Sequence, residues 1–251
     1  MSSLFNTFRT SARPVATGAF GLFFSTPAWT RGASSGSPAA RCTKFLVRNP
    51  SEVAPRECPT PLILLRAKGI AGDETTDSSS WAKDWAAMFA ERGYTAVEVD
   101  IESGSSSGTA AERMNGMVSE LAHQVRLLAI PFPPVIISHS SSTLLSQAYI
   151  SDNPASGIVL VSPPVDNASI ASSTEPENLL PEFNFEPHFP VLVVASSDLA
   201  ERLRTSNRLV RDYAPRGIGR GGKGVSFEEV QDPTSERTRM TIERWMDRCG
   251  Y

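Results

Sequence analysis

Short apolar runs at residues 61–65, 95–99, 133–137, 157–161 and 190–194 constrain this chain more than any other feature. Each has the length of a strand and is too short for a buried helix. A run apolar at consecutive positions is buried on both faces, as strands inside a parallel sheet are. Stretches with helical spacing lie between the runs: Trp81, Trp85, Met88 and Phe89, then Met114, Met117, Leu121, Val125 and Leu128, then Leu144, Leu145 and Tyr149, then residues 199–213. Residues 43–47 and 225–230 read as further strands, and 234–248, carrying Ile242, Trp245 and Met246, as a last helix. Strands alternating with helices specify an α/β fold, with a mostly parallel central sheet and helices on both faces. Residues 163–189 are rich in Pro and Glu and show little periodicity. They are too short for a large cap domain, so a minimal cap, a small lid or a solvated loop, is expected there.

The first forty residues break with this pattern. They are rich in Ser, Thr, Ala and Arg, and residues 1–51 hold six basic side chains and no acid before Glu52. At helical spacing Leu4, Phe8, Ala12 and Val15 share one face, with Arg9 and Arg13 opposite. That is the make-up of a mitochondrial transit peptide, giving a leader at 1–42 and one domain at 43–251. A secretory signal at 15–24 competes, but Thr17, Gly18 and Gly21 dilute it, and Asn167 heads the only glycosylation sequon. A disordered cytosolic tail is the third alternative.

The remaining residues hold 18 basic and 27 acidic side chains, which argues against nucleic acid as the main partner. No apolar run reaches the length of a membrane-spanning helix. Cys42, Cys58 and Cys249 share no metal-ligand spacing and cannot form a disulfide framework, so a reducing compartment is the plain reading. No metal or cofactor is expected.

The run at 133–137 stops at Ser138-His139-Ser140-Ser141-Ser142, and a helix pattern follows at once. This is the strand–turn–helix layout of a nucleophile elbow, normally G-x-S-x-G. Serines at both glycine positions leave the tight turn possible but less favoured. Ser140 stands at the nucleophile position; capping the next helix is its other reading. Asp198 follows the run at 190–194, where an acid would orient a histidine or cap the helix after it. Asp166 is a weaker substitute. Residues 217–224 nearly match a phosphate loop, but Gly224 replaces the hydroxyl residue and the loop lies between a helix and a strand, the reverse of the required order. A flexible loop is expected.

Taken in order, these pieces resemble the α/β-hydrolase family over most of 43–251. Gly93-Tyr94-Thr95-Ala96-Val97-Glu98-Val99-Asp100 is similar to the family's GY-x-V-x-x-x-D segment, and Ser103 to Ser107 falls where G-x-G-x-S is common. Ser138 to Ser142 is the elbow, Val159 to Pro163 the next strand, and Val193 to Asp198 the strand whose end carries the acid. The resemblance implies serine-hydrolase ancestry, with Ser140 as nucleophile and Asp198 as acid.

The histidine of that triad is missing. Its place between the last strand and last helix reads Val230-Gln231-Asp232-Pro233-Thr234-Ser235-Glu236. His123 lies within a helix, and the His139 side chain should point away from Ser140. His188 precedes its strand, which puts ~17 Å of strand between it and the functional edge. Asp232 and Glu236 are carboxylates with a reference pKa of ~4, poor acceptors for a serine proton. Arg66-Ala67 replaces the His-Gly of the oxyanion loop, while the Ser141 N–H remains as a donor. The expected function is therefore a mitochondrial binding or assembly component of hydrolase ancestry, with a protein partner or a small acyl ligand. The alternative is a working ester or thioester hydrolase that uses Ser140, Asp198 and an unconventional base.

Overall fold

The apolar runs become the inner strands of a seven-stranded sheet in a computed structural model, which describes residues 40–70, 80–104, 108–168, 179–219 and 222–251. The strands are β1 (Arg41–Arg48), β2 (Cys58–Lys68), β3 (Tyr94–Glu102), β4 (Val135–His139), β5 (Gly157–Val161), β6 (Pro190–Ser196) and β7 (Gly224–Val230). Their order is β1-β3-β2-β4-β5-β6-β7, with β1 antiparallel to β3 and every other pair parallel. Helices α1 (Ser80–Glu91), α2 (Ala110–Leu127), α3 (Ser142–Asp152), α4 (Ser197–Ser206) and α5 (Glu236–Cys249) cover the two faces.

Strand alternation sorts the core into two layers. Ile63, Val97, Ile136, Leu160 and Val193 face Met117 and Leu121 of α2, Leu145 of α3 and Leu203 of α4. Leu62, Ala96, Ile137, Val159 and Leu192 face Trp81, Trp85 and Phe89 of α1 and Trp245 of α5. Trp81, Trp85 and Phe89 recur every four residues, so they form one stripe of α1 and all are buried.

Several boundaries differ from the sequence reading. β1 starts at Arg41 rather than 43, because Arg41 is level with Glu102 and ion-pairs with it at 2.8 Å. The helix expected over 199–213 breaks at Asn207. Its side-chain oxygen accepts the Leu209 N–H at 3.1 Å, and a π-turn at Leu209–Tyr213 and a 3-10 turn at Ala214–Arg216 follow. The described parts of 163–189 form no α-helix or strand but are tied down: Asn167 donates to Pro181 O and is buried. The leader, apart from its last three residues, lies outside the described residues. None of the described helices is long and apolar enough to cross a membrane, and no described cluster of His, Cys, Asp and Glu could hold a metal. All three thiols are free.

Candidate active site

β4 is a central strand, and the chain turns sharply as it leaves His139. Ser140 takes φ of 53°, in the left-handed region that a serine occupies only at a cost of about 1–3 kcal/mol. Three hydrogen bonds hold the turn. Ser140 N–H donates to Val161 O at 2.9 Å, and the Thr143 N–H and hydroxyl donate to Ser140 O at 3.1 and 2.6 Å. Helix α3 starts two residues later with Ser141 as its cap residue, so Ser140 does not cap it. The residue stands half-buried on a strained strand–turn–helix corner, and its hydroxyl has no hydrogen-bond partner among the described residues. Ser162, at the tip of β5 beside it, is also left-handed, with φ of 47°.

The serines at the two glycine positions have found partners. Ser138 Oγ accepts a hydrogen bond from Ser146 Oγ at 2.7 Å, both fully buried. Ser142 Oγ accepts the Ala67 N–H at 2.8 Å. The β2–β4 ladder ends at Leu65 and Ser138, and this hydrogen bond continues the link between β2 and the elbow beyond it. The Ala67 amide is thus held by a side chain of the elbow.

The segment expected as an oxyanion loop is also built differently. β2 stays paired with β3 through Lys68 and Glu102 instead of peeling away at Arg66. Arg66 lies opposite Asp100 and grips it with both arms, Nε to Oδ1 at 2.8 Å and Nη2 to Oδ2. Both side chains are about nine-tenths buried. Next to them on β3, Glu98 meets Lys44 and Arg48 of β1, the latter at 2.9 Å. Burial pushes the Glu98 carboxyl up, but the hydrogen bonds and charges of Lys44 and Arg48 outweigh it and hold the group below the usual carboxylate range.

His139 leaves the strand on the α1 side and packs against Trp81, ring centres 5.9 Å apart. His123 is exposed on α2, and His188 is exposed before β6, with Glu186 at 3.0 Å. Where the family places its histidine, Asp232 instead builds a cap for α5. Its carboxylate accepts the Thr234 N–H and hydroxyl, both at 2.9 Å, and its carbonyl accepts from Thr238 Oγ1 at 2.6 Å. Ser235 is the cap residue, and Glu236 points to solvent at 72% exposure, 3.9 Å from Arg239.

Asp198 follows β6 on the same sheet edge as Ser140. One strand lies between theirs, a separation of ~10 Å at the usual strand spacing. It is the second residue of α4, exposed, with Ser196 as the cap residue; the capping role is thus corrected by the helix starting two residues earlier than 199. Asp198 complements the positive helix end from within the first turn. Asp166 lies in the turns after β5, half-buried.

The sheet and its covering helices are shared with known structures. An esterase of the Planctomycetes species Thermogutta terrifontis, propionate-bound, matches with 13% identity over 85% of this chain and 95% of its own, TM-score 0.54. MenH from S. aureus matches with 8% identity over 83% and 100%, TM-score 0.52. A hormone-sensitive lipase from a metagenome library matches with 12% identity over 84% and 88%, TM-score 0.50. This chain has the α/β-hydrolase fold. No family model and no curated protein matches the sequence. Within this fold, the Ser140 corner lies beside the Ser142–Ala67 hydrogen bond, and Asp232 caps α5.

Proposed function

We propose that this chain is a hydrolase-fold protein that has given up serine-hydrolase turnover and serves as a binding or assembly component in mitochondria. One observation carries the reading: the Ser142 hydroxyl sits on the Ala67 amide at 2.8 Å. Acyl transfer needs free backbone donors beside the elbow for the developing oxyanion, and losing one such donor lowers turnover by ~10²–10³-fold. The missing base compounds it, because a serine hydroxyl must shed its proton as it attacks. Removing a triad histidine alone is worth on the order of 10⁶ in turnover. The acid-free, amphipathic leader supports the mitochondrial address, and its partner would be a mitochondrial protein or a small acyl ligand.

A second reading is favoured by the Ser140 corner itself. Backbone strain of this kind clusters at working sites, and a functional ester or thioester hydrolase with Ser140, Asp198 and an unconventional base would keep it. One experiment separates the two. Purified protein should label poorly with a fluorophosphonate probe and hydrolyse p-nitrophenyl and acyl-thioester substrates near the background rate. Strong labelling that vanishes in Ser140→Ala would establish the second reading.

A further inference from the structure

On the opposite side of the sheet from β1, the outer edge of β7 borders a cavity of about 420 Å³. Val210, Pro215, Ile218 and Phe227 give it apolar walls, and Arg204 and Arg248 also line it. Its lining includes four consecutive residues of β7, Val225 to Glu228, so the strand itself forms part of it. Gly224 N–H donates to Phe189 O at 3.3 Å, which turns Gly224 toward β6. Alternation along the strand then directs the main-chain groups of Phe227 and Glu229 outward, while Val225 before them is buried. β7 is the last strand of the sheet, and among the described residues nothing hydrogen-bonds to these outward groups.

The charges flanking the edge are incompletely used. Arg204 lies over the Phe227 ring at 5.1 Å and gives Nη2 to Glu229 at 2.9 Å. Arg248, on the α5 face, gives Nη2 to Glu228 at 3.3 Å. Both guanidiniums are more than half exposed, so each keeps N–H donors for another carboxylate. The setting favours such a carboxylate. Residues 197–251 carry 11 basic and nine acidic side chains, whereas residues 52–196 carry seven and 18.

We propose that the β7 edge accepts an extended, acidic segment of another protein as an added strand. Its main chain would pair with Phe227 and Glu229. Strand alternation would send its apolar side chains toward Val210, Ile218 and Phe227, and its carboxylates toward Arg248 on the other face. A small carboxylate alone would leave the outward amides unpaired, and the protein partner is favoured for that reason. This inference does not depend on whether Ser140 is catalytic.

The test uses the full chain and a short blocked peptide of alternating Glu and Val, with a Lys–Val peptide and hexanoate as controls. The Glu–Val peptide should bind and slow amide exchange at Phe227 and Glu229. The Arg204→Glu/Arg248→Glu double variant should weaken binding about tenfold or more. Phe227→Pro removes an outward N–H and no ladder bond, and should abolish binding while the circular-dichroism melt stays cooperative. Equal binding of the Lys–Val peptide, protection by hexanoate alone, no binding of the Glu–Val peptide, or a dimer in which these amides are already protected would each overturn the proposal.

Discussion

At the scale of single residues, Ser140 holds a backbone conformation that glycine adopts without steric cost. Ser140→Gly should therefore stabilise the chain by about 1 kcal/mol, raising Tm by ~2–4 °C, despite the extra freedom it gives the unfolded state. A melt unchanged or lowered by this variant would mean that the corner is not strained. Ser142 is the opposite case. Its hydroxyl pairs with a buried amide, and Ser142→Gly leaves that amide unsatisfied at a cost of about 1–3 kcal/mol. Urea unfolding should show the loss, and esterase assays should show no gain, because freeing the Ala67 donor supplies no base. Sequence made the serine substitutions plain and left their consequence hidden. Ala67 and Ser142 are 75 residues apart, and nothing local to either shows that they meet.

At the scale of elements, the inner strands were legible because burial on both faces leaves apolar residues at consecutive positions. Their ends were not. β2 runs on through Arg66 and Lys68 only because β3 offers Asp100 in register, and α4 stops at Asn207 through bonds that its side chain makes locally and to the carbonyls of Pro164 and Val165. The histidine position was read as empty from sequence, yet the cap for α5 found there depends on how Asp232 folds back on Thr234 and Thr238. The β1–β3 pair carries a pH signature. Lys44 and Arg48 hold Glu98 below its unfolded value, so its contribution is complete above about pH 5 and lost as pH falls through the folded-state value. Glu98→Gln should cost about 1–3 kcal/mol at pH 7, and its difference from wild type should shrink toward pH 3. Urea midpoints at the two pH values provide the measurement; an identical difference at both would contradict the assignment. In α1, Trp85→Ala empties a fully packed site between helix and sheet and should lower stability by about 3–5 kcal/mol in the same assay.

For the whole molecule, the leader and the sheet order bear on each other. Under the proposed mitochondrial address, residues 1–42 should carry a fluorescent reporter into mitochondria, and Arg9→Glu/Arg13→Glu should weaken that import; efficient import of a chain lacking 1–42 would contradict it. A chain that emerges N-terminus first, from a ribosome or through a membrane channel, presents β1 early. Its partner is β3 rather than β2, so β1 must wait until Tyr94–Glu102 has also emerged. Until then Phe45, Leu46 and Val47, each still more than a third exposed after folding, travel as an unpaired ribbon. The earliest strand to appear is thus kept waiting for its neighbour, and fragments ending before residue 94 should clump or cling to holdases while the full chain does not.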